Sequence, residues 1–255
     1  GNKPSGERYW DPYIHTKAGS KTYPGKFGED IFSDFLIDFM KKNKDESMFM
    51  YYAMCLPHGP LVHTPLEPDV KDKMGKHKAM VRYIDFIVGK LTKALDDLKI
   101  RDNTIVIFTA DHGYHMGEKN FLSKTTIWEE STRVPFVVYA PGVSVAGEKV
   151  AHPISLIDLY PTLIDLSALP QNPNLAGNGH HLDGHSIRPF LENPASGTWN
   201  GPPVALNHLN GNVNPADNTP SPIAENHHSV RSSRYRYTLT SDGEEEFYDH
   251  LNDPN

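Results

Sequence analysis

The sequence predicts an α/β fold in which a mixed sheet is flanked by helices and followed by a small antiparallel sheet. Three observations support this prediction. Residues 104–110 form a short apolar run rich in Ile, Val and Phe, which is typical of a strand buried on both faces. Residues 27–42 and 80–98 repeat apolar side chains at helical spacing. Residues 234–248 contain two strand-like runs around an Asp-Gly turn, which is typical of a hairpin.

The composition is that of a globular protein. The chain has 255 residues, of which 38% are hydrophobic and 22% are charged, enough for one large domain or one and a half. The net charge is −7 and the basic residues are scattered, so we expect no nucleic-acid surface. No run of about 18 apolar residues occurs, so we expect no membrane span. The single cysteine, Cys55, excludes an internal disulfide framework and a multi-cysteine zinc site.

The first 100 residues predict a loop followed by helix, strand and helix. Residues 1–25 hold Pro, Gly, Tyr and Trp without periodicity, which predicts a surface loop. The helix over 27–42 ends in lysines, which suit a helix carboxyl end. Residues 48–54 (MFMYYAM) are predicted to form a buried strand. Because a second helix lies between this strand and the run at 104–110, we expect the two strands to be parallel neighbours.

The second half of the chain predicts short elements separated by Pro-, Asn- and Gly-rich loops. Residues 136–139 form a short apolar strand closed by a Pro-Gly pair. Ser155 and Asp158 have the spacing of a capping box, with Asp in place of Glu, at the start of a helix that continues to Leu166. A short helix is predicted over 186–191. A strand is possible at 204–207, before the terminal hairpin.

Polar groups gather where the central strand ends. Asp111 and His112 directly follow the 104–110 run, and open α/β sheets bind ligands at the carboxyl ends of their strands. Gly113 lets the backbone turn away without steric cost, so both side chains can aim at one point. A carboxylate and an imidazole are both metal-ligand types. Taken alone, Asp111 would fit a turn cap as well as it fits a ligand.

Short motifs recur in a fixed order along the chain. The order and spacing of the motifs over about thirty residues from 109 onward are far more specific than any one of them. They are Thr109-Ala110-Asp111-His112-Gly113, Met116-Gly117-Glu118, Lys124 and Glu129-Glu130-Ser131-Thr132-Arg133-Val134-Pro135. Further segments are Pro57-His58-Gly59-Pro60, Ile157 to Leu163, Leu182-Asp183-Gly184-His185-Ser186, and a tail from Val230 through Asp253-Pro254. This set resembles the sulfatase family of the alkaline-phosphatase superfamily, and its iduronate-sulfatase-like and choline-sulfatase-like members look most similar.

The resemblance implies how the chain is organised. Residues 1–199 would be the later part of an alkaline-phosphatase-like α/β catalytic domain whose N-terminal strands are missing. Residues 200–255 would be a truncated, small C-terminal β subdomain. Without its first strands the sheet would have an exposed edge, so we expect the isolated chain to associate, to pair with the missing N-terminal segment, or to be only marginally stable.

The resemblance also implies hydrolysis of sulfate esters. Asp111 and His112 would be two ligands of a divalent cation, usually calcium. Many relatives have Asn in place of His112, and a nitrogen ligand leaves manganese or another transition metal possible; magnesium is a further alternative. Lys124 would contact the sulfate oxygens and the bridging oxygen. His58 would bind the sulfate or protonate the leaving group. Taken alone, Lys124 fits a solvated surface lysine and His58 fits a turn histidine satisfied by the backbone.

Three weaker candidates for substrate binding are His63, His115 and Lys119. For His63, the sequence is equally compatible with a residue that lines a pocket and with a solvated residue of a loop. For His115 and Lys119 the sequence favours surface exposure. Glu129, Glu130 and Arg133 are interpreted as a structural ion-pair set that supports the loop.

No nucleophile is predicted in this chain. In the family, a Cys or Ser followed by x-Pro-Ser-Arg is oxidised to formylglycine. Cys55 precedes x-Pro but is followed by neither the Ser nor the Arg, so we interpret it as a small buried hydrophobe. We therefore expect the nucleophile, together with an Asp pair that completes the metal site, in a missing N-terminal segment of the same protein. These 255 residues alone are expected to be inactive.

The resemblance implies a sulfated small molecule or a sulfated carbohydrate as substrate, and export to the periplasm, the lysosome or the medium. Two alternatives stay open. A phosphonate or phosphodiester hydrolase could use the same scaffold, since such relatives also have an Asp-His pair. A non-catalytic remnant could have kept the fold without the activity. Which compound is cleaved does not follow from the sequence, because pocket loops vary freely on one scaffold.

Overall fold

The computed structural model describes residues 7–170, 180–209 and 226–252. The chain divides into two compact units, Gly1–Thr104 and Ile105–Asn255. Parts of the loops predicted at 169–183 and 193–222, and the Asp253-Pro254 end of the tail, lie outside the described residues. The predicted domain boundary between residues 199 and 200 stays a prediction. In the described ranges, no helix has the length and apolar character needed to cross a membrane.

The first unit contains an antiparallel hairpin and two long helices. The hairpin consists of β1 (Tyr13–Thr16) and β2 (Gly19–Thr22), so the surface loop predicted for the first 25 residues is wrong there. These strands are four residues long and mostly polar, and so lack the apolar alternation that marks a strand in sequence. The helices are α1 (Gly28–Asn43) and α2 (Lys73–Asp97), as predicted.

The two helices pack around an aromatic core. The Asp72 carboxylate caps the first turn of α2 by accepting a hydrogen bond from Gly75 N at 2.8 Å. The phenol of Tyr83 on α2 donates to the Asp30 carboxylate on α1 at 2.6 Å. The buried side chains of this core are Tyr9, Phe27, Leu56, Met80, Tyr83 and Ile87.

The segment 48–54 forms no strand, so the predicted buried strand is wrong. Phe49 and Tyr51 are 78% and 82% exposed, whereas Tyr52 and Met54 pack against the aromatic core. The Tyr52 phenol donates to the Glu29 carboxylate, and this bond holds the side of the segment that packs on the core. Among the described residues no neighbouring strand pairs with this segment. The predicted parallel pairing with the run at 104–110 is therefore wrong as well.

The second unit begins with a two-stranded antiparallel sheet. Strand β3 (Val106–Thr109) pairs with β6 (Phe136–Tyr139), and Thr109 lies opposite Phe136. Both strands were predicted, but β3 is partly rather than fully buried. Between them lie a short hairpin, β4 (His115–Met116) and β5 (Leu122–Ser123), and helix α3 (Glu129–Thr132). The sequence analysis did not predict these short elements.

Helix α4 (Leu159–Leu166) begins after the predicted capping box, which the structure confirms at Ser155 and Asp158. The Asp158 carboxylate accepts from Ser155 N and also from His185 N, both at 2.8 Å. A Cβ on Gly184 would collide with the carbonyl oxygen of Ile157. Helix α5 (Arg188–Glu192) follows close to its predicted position.

The chain ends in a four-stranded antiparallel sheet. Its strands are β7 (Ala205–Leu209), β8 (His227–Arg231), β9 (Tyr235–Leu239) and β10 (Glu245–Asp249), in the order β10-β9-β8-β7. The predicted hairpin corresponds to β9 and β10. The strand predicted at 204–207 corresponds to β7.

Candidate active site

The turn after β3 is held tightly against α3. Gly113 N donates to the carbonyl oxygen of Ser131 at 2.8 Å. A Cβ on Gly113 would collide with the carbonyl oxygen of Glu130. The turn therefore requires glycine because two backbones approach closely, a reason that the sequence alone did not give.

Three predicted groups converge at this turn. His112 Nδ1 lies 2.8 Å from the carbonyl oxygen of Gly113. A carbonyl oxygen only accepts, so Nδ1 carries the proton and Nε2 of the neutral ring has the lone pair. Nε2 lies 3.0 Å from Lys124 Nζ and 3.4 Å from Asp111 Oδ2. The side chain of Asp111 is 86% exposed. A carboxylate, an imidazole lone pair and an ammonium thus meet at one point on the surface.

This site has part of a metal-ligand set. Asp111 Oδ1 accepts from His112 N at 3.0 Å, while Oδ2 is the oxygen near Nε2. The exposed carboxylate and the Nε2 lone pair are both donors that a divalent cation accepts, and Lys124 Nζ faces the same lone pair. Across the ranges that the structure describes, no third His, Cys, Asp or Glu completes a cluster with them. Divalent ions in proteins take about four to eight ligands, so these two residues would supply only part of the shell.

The loop that carries Lys124 is held to α3 through side chains. Thr126 Oγ1 donates to Ser131 Oγ at 2.9 Å. Because its proton is used there, Thr126 Oγ1 accepts from His115 Nε2, which lies at 2.8 Å. Thr125 has a φ of +74°, a left-handed conformation that costs a β-branched residue energy. This strained loop is fixed to the same helix that supports the turn after β3.

His115 differs from its prediction. It is 0% exposed, so its expected surface exposure is wrong, whereas a role in substrate binding stays a prediction. Its ring packs edge-on against Phe121 and Trp128, with centroids 5.5 Å and 5.7 Å away. The short strand β4 turns this side chain inward, where it supports the Lys124 loop.

Lys119 is exposed, as predicted, but its ammonium is engaged. Nζ donates to the Tyr248 phenol at 2.7 Å and lies 5.2 Å from the Trp128 ring centroid. Burial alone would lower the pKa of Lys119, but Tyr248 and nearby carboxylates outweigh it, so the pKa is raised. Trp128 Nε1 in turn donates to Glu246 at 2.7 Å. A substrate-binding role for Lys119 stays a prediction.

Glu129 is the centre of an ion-pair cluster, which confirms its predicted structural role. Its Oε2 lies 2.6 Å from Arg236 and 3.1 Å from Arg231, two arginines of the C-terminal sheet. Burial would raise the pKa of Glu129, but the two guanidinium groups overcome this and lower it. Arg133, predicted as a partner, lies 3.8 Å away and its side chain is 78% exposed. The sequence analysis did not predict Arg231 and Arg236 as partners of Glu129, because they lie about a hundred positions away in sequence.

The remaining candidates, His58 and His63, belong to the first unit. His58 is exposed, and its Nδ1 lies 2.8 Å from the carbonyl oxygen of Gly59 and 3.4 Å from Arg8 Nη1. The carbonyl only accepts and the guanidinium only donates, and the shorter contact to Gly59 favours a proton on Nδ1 and the lone pair on Nε2. The ring of His63 packs on Trp10 with centroids 5.0 Å apart. Among the described residues, His63 Nδ1 is buried without a hydrogen-bond partner. Their substrate roles stay predictions.

Cys55 packs against the aromatic core of the first unit. Burial, and then the Glu29 carboxylate, raise the pKa of the Cys55 thiol. A thiol attacks only as thiolate, so this environment disfavours nucleophilic chemistry. The interpretation of Cys55 as a small hydrophobe agrees with this position.

Comparison with known proteins places these residues in a family. A model described as sulfatase matches residues 2–168, and one described as N-sulphoglucosamine sulphohydrolase, C-terminal, matches residues 117–255. An ulvan-active sulfatase of Formosa agariphila is 29% identical, over 95% of this chain and 50% of its own length. The chain spans between 30% and 50% of the curated relatives that match most strongly.

The solved structures that resemble the chain include the following two. One is a protein in complex with its substrate D-glucosamine-2-N,6-O-disulfate, with a TM-score of 0.72 and 18% identity, covering 96% of this chain and 67% of that one. The other is the phosphonate monoester hydrolase of Agrobacterium radiobacter, with a TM-score of 0.60 and 28% identity, covering 71% of this chain and 35% of that one. The likeness confirms the predicted alkaline-phosphatase-like fold class. The two matching models together cover nearly the whole sequence, and the chain belongs to the sulfatase family.

Proposed function

We propose that the protein is part of a metal-dependent sulfatase that hydrolyses sulfate esters. The observation that carries this proposal is the convergence of Asp111, His112 and Lys124 in a member of the sulfatase family. These groups bring together a hard oxygen donor, a nitrogen donor and a fixed positive charge. A sulfate ester develops negative charge on its oxygens as it is cleaved, and such a set of groups suits that charge.

Asp111 and His112 would hold a divalent cation through a carboxylate oxygen and Nε2, which requires the Lys124 ammonium to leave the Nε2 lone pair and turn to the substrate. When bound, the ion supplies a Lewis acid that polarises a sulfate oxygen. Calcium prefers oxygen ligands, whereas the imidazole suits manganese or another transition metal. The bond from His112 Nδ1 to Gly113 O fixes the tautomer that ligation requires.

Lys124 would neutralise the sulfate oxygens and the bridging oxygen. Its loop is fixed through Thr126 to α3, so the ammonium does not have to be ordered when substrate binds. His58 would supply the proton for the leaving alcohol. With Nδ1 bonded to Gly59, Nε2 is the atom that takes up and delivers that proton.

The nucleophile is proposed to be a formylglycine in sequence outside these 255 residues. Two observations support this. Cys55 lacks the following Ser and Arg, and its thiol pKa is raised. The chain also spans only half of its ulvan-active relative. By the same resemblance, the protein would be exported and would act on a sulfated carbohydrate or small molecule.

The test is the hydrolysis of an aryl sulfate by the longer protein that includes the upstream sequence. We expect Lys124→Ala to lower kcat by about 10² to 10³, the usual cost of losing a group that stabilises transition-state charge. Lys93→Ala is the matched control, because it removes an exposed helix ammonium paired with Asp97. Equal rates for the two variants, or no hydrolysis by the unmodified protein, would reject the proposal.

Metal binding is tested separately from turnover. Calorimetric titration of the longer protein with Ca²⁺ and Mn²⁺ should show binding that Asp111→Ala abolishes. His112→Asn should weaken Mn²⁺ more than Ca²⁺, because it replaces a nitrogen donor with an oxygen donor. Metal affinity that is independent of Asp111 would place the cation elsewhere.

A second candidate is hydrolysis of phosphonate monoesters. It is favoured by the 28% identity to the Agrobacterium enzyme and by the imidazole at His112. The ratio of kcat/KM for an aryl sulfate to that for a phenyl phosphonate separates the two functions. A ratio well below one would replace the first proposal with the second, and a protein that binds metal but cleaves neither would be a non-catalytic remnant.

A further inference from the structure

A polar cleft of about 420 Å³ opens in the second unit, apart from the Asp111–His112–Lys124 cluster. Its volume lies in the range of small-molecule sites. The cleft lies between helix α3, the turn that joins β8 to β9, and the residues after β10. The lining residues are Glu129, Glu130, Arg133, Arg231, Ser233, Arg234, His250 and Leu251.

The cleft is positive in a chain that is negative overall. Three arginines against two glutamates leave one excess positive charge with His250 neutral, whereas the whole chain carries −7. Adding the paired groups behind the lining, Arg236 and Asp249, leaves this balance unchanged. A local excess of arginine in an acidic protein favours an anionic ligand.

Each arginine of the cleft keeps hydrogen-bonding capacity. Arg231 uses Nε for Glu129 and Nη1 for the Ser232 carbonyl oxygen, and Arg234 uses Nε and Nη2 for Asp249. In the described part of the chain, Nη2 of Arg231 and Nη1 of Arg234 have no further partner. Arg133 makes a long 3.8 Å ion pair with Glu129, and its side chain is 78% exposed. Carboxylates orient Arg231 and Arg234, and each of these two side chains leaves one amino group that can donate to a sulfate or carboxylate oxygen.

The cleft shares a wall with the candidate active site. Glu130 and Arg133 line the cleft, and their carbonyl oxygens face Gly113 on the turn after β3. Gly113 N also donates to Ser131 O, within the same segment. An extended ligand bound at Asp111 would therefore have this positive cleft as its neighbour in the same unit.

We propose that this cleft binds a second anionic group, a sulfate or a carboxylate, of a saccharide whose sulfate ester lies at the candidate active site. The identity of the ligand rests on the proposed function, but the anion preference of the cleft does not. The exposed Leu251 gives the cleft an apolar rim on which a sugar ring can lie. The protein would thus select substrates with two or more negative charges.

The test is direct binding to the 255-residue chain, without turnover. We would titrate it calorimetrically with a disulfated disaccharide, with its monosulfated counterpart, and with an unsulfated disaccharide that has one uronate. We expect the disulfated ligand to bind most tightly and Arg133→Ala to weaken it about fivefold. Arg133→Glu should weaken it more than tenfold, because it reverses the charge. If the Arg133 variants bind the uronate ligand and the sulfated ligands with the same loss of affinity, the cleft accepts either anion. If the variants lose affinity for the sulfated ligands alone, the cleft is a sulfate site.

Arg101→Ala is the matched control, because it removes another surface arginine, one in the first unit. Arg133 is exposed, so its variants should melt like the unmodified chain, which separates loss of binding from loss of fold. Equal affinity of the Arg133 variants and the control, or affinity insensitive to salt, would overturn the proposal. A longer protein that fails to hydrolyse sulfate esters would reject the proposed function alone, provided that Arg133-dependent binding persists.

Discussion

His112 and His58 share one local arrangement at the residue scale. In each, Nδ1 lies 2.8 Å from the carbonyl oxygen of the next residue, so Nε2 of the neutral ring has the lone pair. His152 makes the same contact with Pro153, so the contact itself does not mark a functional histidine. What distinguishes His112 is the ammonium of Lys124 at its Nε2. The chemical role follows from the groups that face the open nitrogen.

His115 should matter for stability and for the position of Lys124. His115→Ala would remove a fully buried ring from the Phe121–Trp128 contacts and take away the shorter of the two hydrogen bonds that Thr126 Oγ1 accepts. We expect a loss of about 2–4 kcal/mol in the free energy of unfolding, measured by urea denaturation. His181→Ala, at an exposed position, is the control. A loss no larger than that of the control would contradict the buried support role.

Cys55 should react slowly with alkylating reagents. Its thiol pKa is raised by burial and by Glu29, so the thiolate fraction at neutral pH is smaller than that of an ordinary thiol. The rates of alkylation by iodoacetamide, measured between pH 7 and 10, should lie below those of free cysteine. The increase in rate should also occur at a higher pH than for free cysteine. A Cys55 that reacts faster than free cysteine at pH 7 would reopen its role as a nucleophile.

At the scale of elements, helix α3 holds the second unit together. Although it spans only Glu129–Thr132, it bonds the turn after β3 through Ser131 and the Lys124 loop through the Ser131 hydroxyl. Glu129 ties the same helix to β8 and β9 through Arg231 and Arg236. One turn of helix therefore connects the candidate site to the C-terminal sheet.

Glu129→Gln should destabilise this arrangement and change its response to acid. The arginines lower the pKa of Glu129, so its contribution is complete above the ordinary carboxyl pKa of 4.5 and is lost as the pH falls through the lower folded value. Removing it leaves Arg236, 3% exposed, with a buried unpaired charge. We expect a cost of about 3 kcal/mol at pH 7.

The measurement is the melting temperature from pH 7 down to pH 3. The melting temperature of the unmodified chain should fall steeply below about pH 4.5. The Glu129→Gln variant should have a lower melting temperature at pH 7 and a smaller decrease on acidification. Glu192→Gln, which removes an exposed carboxylate paired with Arg188, is the control and should change little. Parallel curves for the unmodified chain and Glu129→Gln would show that the cluster does not govern acid stability.

At the scale of the whole molecule, the first unit exposes an apolar surface. Phe49 and Tyr51 are exposed on a segment that has no strand neighbour among the described residues. Large exposed apolar side chains that lie close together favour association between chains. We expect sedimentation velocity to show concentration-dependent self-association, reduced by the double substitution Phe49→Ser and Tyr51→Ser. Leu206→Ser, at a similarly exposed position in the second unit, is the control. A monomer at all concentrations would contradict this prediction.

The 255 residues alone should not hydrolyse an aryl sulfate. They provide Asp111, His112, Lys124 and His58, but Cys55 lies outside any nucleophile motif and its environment disfavours the thiolate. The measurement is turnover by the purified chain with Ca²⁺ or Mn²⁺ added. Hydrolysis that disappears in Cys55→Ala would show that the nucleophile lies in this chain after all.

Local patterns in the sequence determined α1, α2, β6, the capping box and the terminal hairpin. Each of these depends on side-chain spacing or capping within a few neighbouring residues, which the chain carries wherever it lies. The candidate cluster was predicted as well, because Asp111 and His112 are adjacent and Lys124 follows at a motif spacing. The short hairpins were not, because two- to four-residue strands show too little alternation to be detected.

Only the tertiary structure decided the antiparallel partner of β3, the unpaired state of residues 48–54, the burial of His115 and the arginine partners of Glu129. Strand pairing depends on which edge is available, and burial depends on what packs above a side chain. The bond between Glu129 and Arg231 joins residues 102 positions apart. No spacing rule reaches across such a distance, because the contact exists only once the sheet has folded back onto α3.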